Sequence, residues 1–322
     1  RYDVQLWDEL VHGPISPDTL HRMHPDLVGV TGYKHHLPRC RFIARVAKDA
    51  GIITAIGGPG VSGSPYDYRA DFDVLFINEA EFTWGQFLKD WEADSFAAEY
   101  RQIDKPDLSE TPIPRWESIS SDMRHYAMGV VQTTRGCPFD CEFCDVIYLF
   151  GRRMRHKPIP RILEEVRIQA AFGLTNIFFC DDEFSGDRKY AKELLAELIE
   201  LNKEYGGELV FSTQMTIAVA TDDEFLSMLS EANFDLVFMG IESPNEESLK
   251  NANKRQNLRG DLVTNIHATL SHGIGIRAGM IVGFDDDDKD IFRMHYKFIQ
   301  KSCLTSVAIN MLKAPLGTPM WI

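Results

Sequence analysis

Short β-branched runs alternate with helical patterns along the first hundred residues. Asp26-Leu-Val-Gly-Val-Thr31 reads as a buried strand. Pro38 to Ala50 places Phe42, Ile43, Val46 and Ala50 on one face of a helix, and Gly51 ends it at the C′ position. Ile52 to Ile56 is the next strand, followed by the turn Gly57-Gly58-Pro59-Gly60; Asp73 to Ile77 is another strand and Glu81 to Trp91 another helix. Strand and helix alternating at this spacing predict a parallel sheet with helices on its faces. Val4 to Leu6 is a candidate further strand, and the first strand of the domain is then expected upstream of the chain. Residues 102–126 carry Pro106, Pro112 and Pro114 among polar residues without periodicity, as a linker does. This divides the chain into an α/β domain over 1–101, a linker over 102–126 and a second α/β domain over 127–322.

In the second domain the units are longer. Val130 to Thr133 is a strand, Pro160 to Phe172 a helix, Asn176 to Cys180 a strand, and Lys189 to Leu201 a helix with Tyr190, Leu194, Leu198 and Leu201 in one stripe. Leu209 to Thr213 is a strand, and Thr221-Asp-Asp-Glu224 is read as a capping box opening the helix that carries Phe225, Leu229 and Ala232. Leu236 to Ile241 is a strand, and Ser243-Pro-Asn-Glu246 opens a helix by the same device. Asp261 to His272, Ala278 to Phe284, Lys289 to Lys301 and Ser306 to Leu312 complete the helix and strand alternation. Repeated parallel βα units predict a barrel or part of one, with ligands at the C-terminal ends of the strands.

Composition narrows the classes. The chain has 322 residues, 44% hydrophobic and 25% charged, which suits a folded globular protein. Its net charge of −14 argues against a surface for nucleic acid or anionic lipid. The longest uncharged stretch, Ala50 to Tyr66, is broken by five glycines and two prolines, so no transmembrane segment is expected. A start at Arg1 and an apolar end at Met320-Trp321-Ile322 read as a piece of a longer protein. Six cysteines without a secretory signal suggest a reducing compartment, the cytoplasm, and metal or redox chemistry.

The chemistry concentrates in Thr133-Thr-Arg-Gly-Cys137-Pro-Phe-Asp-Cys141-Glu-Phe-Cys144. Three thiolates on one loop can hold three irons of a [4Fe–4S] cluster, leaving the fourth iron open. A zinc site needs a fourth ligand that no local residue offers at finger-like spacing. A dithiol pair of Cys141 and Cys144 leaves Cys137 without a role.

Cys-x-x-x-Cys-x-aromatic-Cys after the first strand of a parallel α/β domain resembles the radical S-adenosylmethionine (SAM) enzymes. Arg135 to Asp145 followed by Phe150-Gly-Arg-Arg resembles the cobalamin-binding-domain subgroup that includes hopanoid C-methylases. The resemblance implies a Rossmann-like, cobalamin-binding-type domain followed by a radical SAM partial (β/α)6 barrel. It implies a cluster on Cys137, Cys141 and Cys144, and SAM on its open iron with Phe143 beside the adenine. The acids Asp181, Asp182 and Glu183 stand where the superfamily has Gly-Gly-Glu, which binds the methionine amino group; here the glycines are absent. Ser212, Gln214 and Glu242 resemble ribose or methionine contacts, and Ile281 and Gly283 lie in a fifth-strand motif whose backbone meets adenine. Thr31, Gly32, Gly57, Gly58 and Pro59 resemble the strand-end loops that admit cobalamin. Asp8 and His12-Gly13 do not have the Asp-x-His-x-x-Gly spacing that supplies a lower cobalt ligand, and Asn78-Glu-Ala-Glu81 replaces Gly-Glu-Gly-Glu.

The implied activity is reductive SAM cleavage to a 5′-deoxyadenosyl radical, with an external donor of flavodoxin or ferredoxin type. Cobalamin-dependent methylation of an unactivated carbon in a small-molecule or lipid substrate would follow. A non-methylating radical SAM enzyme with an idle cobalamin-like domain and a non-enzymatic metal-bound module are the alternatives. Plainer readings remain beside these. The acidic run 181–183 reads as a helix cap or wet turn, Glu242 as a cap, and Asp285 to Asp288 as solvated. Cys180 and Cys303 read as small core residues, and Arg152 to Lys157 as a solvated loop.

Overall fold

The computed structural model describes residues 2–322. The chain divides between Thr111 and Pro112 into two compact units. In the first unit, strands β1 (Leu27–Thr31), β2 (Ile53–Gly57), β3 (Val74–Ile77) and β4 (Glu99–Arg101) make one parallel sheet in that order. Helix α1 (Leu37–Asp49) joins β1 to β2, and α2 (Thr83–Glu92) joins β3 to β4. Every residue of β3 is buried because side chains alternate between two covered faces: Leu75 and Ile77 pack with Cys40 and Ala44 of α1, Phe76 with Phe87 of α2. Val4 to Leu6 is not a strand; three exposed residues bury too little to hold one. β4 was not evident, since Glu-Tyr-Arg at a sheet edge buries Tyr100 alone.

In the second unit, β5 (Gly129–Val131), β8 (Asn176–Phe179), β9 (Val210–Gln214), β10 (Phe234–Glu242), β11 (Gly275–Val282) and β12 (Ser306–Met311) form a six-stranded parallel sheet in sequence order. A two-stranded antiparallel ribbon, β6 (Thr134–Arg135) and β7 (Arg155–His156), lies between β5 and β8 in the chain. Helices α3 (Ile159–Ala171), α4 (Arg188–Glu204), α5 (Asp223–Glu231), α6 (Glu246–Asn251), α7 (Leu262–Ser271) and α8 (Ile291–Ser302) complete the unit. The main core joins Ile177, Phe179, Phe211, Val237 and Met239 of the strands to Leu194, Leu198 and Ile266 of α4 and α7. By the two-residue period the other sheet face carries Val130, Phe178, Ser212, Gln214, Leu236 and Phe238. Gly279 belongs to that face too: a Cβ there would lie 2.7 Å from Phe238 Cζ.

Several local expectations shift. The cap of α5 is Asp222, accepting from Phe225 N–H, not Thr221. The cap of α6 is Asn245, accepting from Glu247 N–H, not Ser243. Cys303 is an exposed residue at φ 58° ending α8, not core. The basic run 152–157 is not simply a solvated loop. Arg155 and His156 form β7, and Lys157 is buried on Glu165 at 2.6 Å, because pairing with β6 draws the run inward. Among the described residues no helix is long and apolar enough to cross a membrane.

Candidate functional site

At the C-terminal end of β5 the chain enters the loop that carries Cys137, Cys141 and Cys144, and two sets of hydrogen bonds hold it. On one side stands Asp181, fully buried after β8. Its Oδ1 accepts from the N–H of Thr133 (2.6 Å) and Thr134 (2.8 Å), and its Oδ2 accepts from the Thr133 hydroxyl. Asp182 accepts from Gly136 N–H at 3.3 Å. Gly136 sits at φ 98°, and a Cβ there would lie 2.7 Å from the Arg153 carbonyl oxygen, so only glycine fits. On the other side the chain after α6 reaches back. Glu142 N–H donates to Ala252 O (3.1 Å), Asn253 Nδ2 to Asp140 O (3.2 Å) and Gln256 Nε2 to Cys141 Sγ (3.3 Å). Asn257 pins that segment to β10 by donating to the carbonyls of Gly240 and Ile241, both at 2.9 Å.

Cys141 is buried, Cys137 and Cys144 half-buried. Burial pushes the Cys137 thiol up to about 12, with Glu183 and the other two cysteines adding to the rise. Burial likewise takes Cys144 up to about 11, against the opposing pull of Lys254. Such thiols are not the low-pKa nucleophiles of a dithiol redox pair. Among the described residues no three His, Cys, Asp or Glu side chains converge on one ion. A cuboidal cluster does not ask for that, since each thiolate binds a different iron. The donor set therefore fits a cluster better than tetrahedral zinc.

The three acids after β8 are not equivalent. Burial raises Asp181 to about 6 against its three donors, and those donors occupy both oxygens. Burial also raises Asp182 to about 6, opposed by Gly136 N–H and by Arg135. Glu183, raised by burial, accepts from the Ser185 hydroxyl. None is a wet turn, because the end of β8 lies under the cysteine loop. Asp181 serves the backbone, and Asp182 has the fewest protein partners of the three.

The remaining predicted residues divide. Phe143 is brought to Phe284 after β11, ring centroids 6.1 Å apart and edge-on, and Lys254 Nζ lies 5.8 Å over the Phe143 ring. Glu242 ends β10 at φ 64° and accepts from Lys254 Nζ at 2.9 Å, with 9% and 13% of the two side chains exposed. It pairs with a buried cation and does not cap α6. Gln214 donates to Asp181 O at 2.6 Å, while Ser212 lies deeper in β9, level with Phe178 and Leu236. Ile281 is half-buried and level with Asn310. Gly283 N–H is already given to Asp287 Oδ2 at 2.8 Å, as is Phe284 N–H at 3.1 Å. The run 285–288 is thus more than solvated: the turn after β11 leaves two N–H groups that a nearby carboxylate satisfies. Cys180 is half-buried at the end of β8.

In the first unit, Thr31, Gly32, Gly57, Gly58 and Pro59 gather at the C-terminal ends of β1 and β2. Gly58, at φ 97°, would place a Cβ 2.6 Å from Thr31 Oγ1, and Gly60 N–H donates to Gly32 O at 3.1 Å. The chain's own loop crossing accounts for that glycine. Sequence reasoning missed Lys254, Gln256 and Asn257, whose largely polar run Asn251 to Asn257 looks like surface; only burial reveals them.

The chain is similar to known proteins both in sequence and in structure. The model of the radical SAM superfamily matches residues 131–299, just over half of the chain. An uncharacterized methyltransferase of Synechocystis is 35% identical over 85% of this chain and 51% of its own length. The hopanoid C-2 methylase of Rhodopseudomonas palustris is 32% identical over all of this chain and 61% of its own. The chain thus spans about half to three fifths of these relatives. In structure it is similar to the radical SAM methyltransferase TsrM from Kitasatospora setae, solved with cobalamin and a [4Fe-4S] cluster, with TM-score 0.78, 17% identity, and 94% of this chain and 68% of that one covered. It is also similar to the cobalamin-dependent SAM radical enzyme OxsB, with TM-score 0.70, 17% identity, and 88% and 45% covered. The chain belongs to the radical SAM superfamily.

Proposed function

We propose that the chain is the cofactor-bearing part of a cobalamin-dependent radical SAM C-methyltransferase. The observation that carries this is the cysteine loop, held from both sides with three buried or half-buried thiols and an amide aimed at one of them. When bound and reduced by a flavodoxin- or ferredoxin-type donor, the cluster supplies the electron that cleaves the carbon–sulfur bond of SAM, and cobalamin supplies the methyl group.

The chain's own residues hold and orient. Cys137, Cys141 and Cys144 would ligate the cluster. Asp182 is the acceptor for the methionine ammonium, since Asp181 is spent on Thr133 and Thr134. Phe143 and Phe284 form an edge-on pair against which the adenine would pack. Gln214 and Glu242 stand at strand ends, and Ser212 deeper in β9, where they would meet the ribose and methionine, and the backbone at Ile281 and Gly283 would border the adenine. Gly283 contributes by its carbonyl, because its N–H is bound to Asp287. Val130, Leu236 and Phe238 leave 36–38% of their surface open on the inner sheet face, which favours an apolar small molecule or lipid as substrate.

The first unit is assigned to cobalamin at the ends of β1 and β2, near Thr31, Gly32, Gly57, Gly58 and Pro59, where a parallel sheet offers its ligand edge. Its likeness to solved cobalamin enzymes supports this. No Asp-x-His-x-x-Gly histidine stands there: Asp8 accepts from Leu10 N–H, and His12 Nδ1 accepts from Asp8 N–H.

The test is protein purified and reconstituted without oxygen, then given SAM, methylcobalamin and a reductant. Iron–sulfur and corrin absorption together, with 5′-deoxyadenosine formed and dependent on cobalamin, is the expected result. 5′-Deoxyadenosine without cobalamin dependence would assign a non-methylating enzyme with an idle first unit. Full iron loading without SAM cleavage would assign a non-enzymatic module.

A further inference from the structure

We propose that Gln256 is a positioning residue whose side-chain amide donates a hydrogen bond to the Cys141 sulfur and thereby raises the reduction potential of the cluster; this rests on the cluster reading above. Gln256 Nε2 lies 3.3 Å from Cys141 Sγ, and the residue is only 3% exposed. The amide is not free to wander. Its turn, Arg255–Leu258, is fixed by Asn257 to the end of β10, and Lys254 N–H donates to Leu249 O at 2.8 Å.

The chemistry sets which end of the amide faces the sulfur. An iron-bound thiolate has lone pairs and no proton, so it accepts the N–H and repels the amide oxygen. A neutral thiol is a weak partner for a buried amide, which makes the contact a poor device for holding an empty loop together. To a thiolate of a negatively charged cluster the same bond is charge-assisted. Adding an electron makes the cluster more negative, so the N–H dipole stabilises the reduced state more than the oxidised one. Hydrogen bonds to the sulfurs are among the recognised determinants of cluster potential. Lys254 lies nearby, but Glu242 at 2.9 Å offsets its charge, leaving the amide as the unopposed donor. Because burial lowers the local dielectric, a single dipole carries weight here.

The experiment compares wild type, Gln256→Met, which keeps the volume and removes the donor, and Gln256→Glu, which places an acceptor beside the sulfur. Each is reconstituted without oxygen, its iron and sulfide are measured, and the cluster is titrated in the absence of SAM by electron paramagnetic resonance. The expected result is full loading of Gln256→Met with a reduced-to-oxidised ratio about tenfold lower at the wild-type midpoint, ~59 mV for one electron. Gln256→Glu is expected to fall further. A loaded Gln256→Met cluster whose ratio changes less than about twofold overturns the proposal. Failure of both variants to hold a cluster that wild type holds also overturns it, since Gln256 is then structural. A wild type that takes up no iron and sulfide defeats the cluster reading itself, a distinct outcome.

Discussion

Lys254 and Glu242 form a nearly buried ion pair at the end of β10, and removing one partner has a calculable result. Burial alone would lower the Lys254 ammonium, but Glu242, Cys141 and Glu183 outweigh it and hold it above the ordinary lysine value. Lys254→Met keeps most of the side-chain volume and strands the Glu242 carboxylate, which folds back so closely on Gly240 that a Cβ there would meet it. Breaking a buried pair in this way costs about 3–5 kcal/mol. In a unit running from Pro112 to Ile322, each kcal/mol shifts the midpoint by about 2–4 °C. The transition of that unit should therefore fall by roughly 6–20 °C in calorimetry of the iron-free, reduced protein. The double variant Lys254→Met/Glu242→Gln removes both charges and should recover most of the loss, because a neutral amide costs less to bury than a lone carboxylate. A fall under about 3 °C in the single variant would refute the reasoning. So would a double variant no more stable than the single.

Three further outcomes follow from other contacts. Cys141→Ala should lose the iron–sulfur absorption and SAM cleavage while keeping its far-ultraviolet circular dichroism; retained cleavage would contradict the ligand assignment. Asp181 is raised by burial from an ordinary 3.8 to about 6, so the folded state binds its proton more tightly than the unfolded one, and stability falls as pH rises from about 4 to about 6. Asp181→Asn keeps an oxygen for both N–H donors and an N–H for the Thr133 hydroxyl. It should gain up to roughly 3 kcal/mol at pH 7.5 and flatten part of that slope in urea titrations, an unchanged slope counting against it. Gly58→Ala combines φ 97° with a Cβ 2.6 Å from Thr31 Oγ1 and should destabilise the first unit by about 2 kcal/mol or more, read as its own calorimetric transition.

Much of the fold was legible because its strands are short apolar runs between helical patterns. Every interior strand of both sheets could be located from that alternation. The cysteine spacing located the loop because the loop itself supplies all three thiols. What stayed hidden depends on contacts far apart in sequence. Asp181 was visible as an acid at a strand end, but its use by Thr133 and Thr134 required β5 and β8 to lie side by side. Lys254 and Gln256 sit in a polar run whose local pattern is that of a surface turn. Their burial comes from the cysteine loop folding over them. The caps slipped by one or two residues: Asp222 takes Phe225 N–H while the Thr221 hydroxyl donates to Ala218 O, and Asn245 takes Glu247 N–H while Ser243 accepts from Asn245 N–H.

The cysteine loop is braced by Asp181 and Asp182 on one flank, by Ala252 and Asn253 on the other, and by Met320 N–H donating to Glu142 O at 3.2 Å. The scaffold for the inorganic centre thus rests on hydrogen bonds between protein groups, none of which passes through iron. Order that comes from the protein's own contacts does not depend on the metal, so removing the metal should cost the loop little of its structure. Oxygen damage that strips the centre should leave an empty but intact vessel, ready to be refilled.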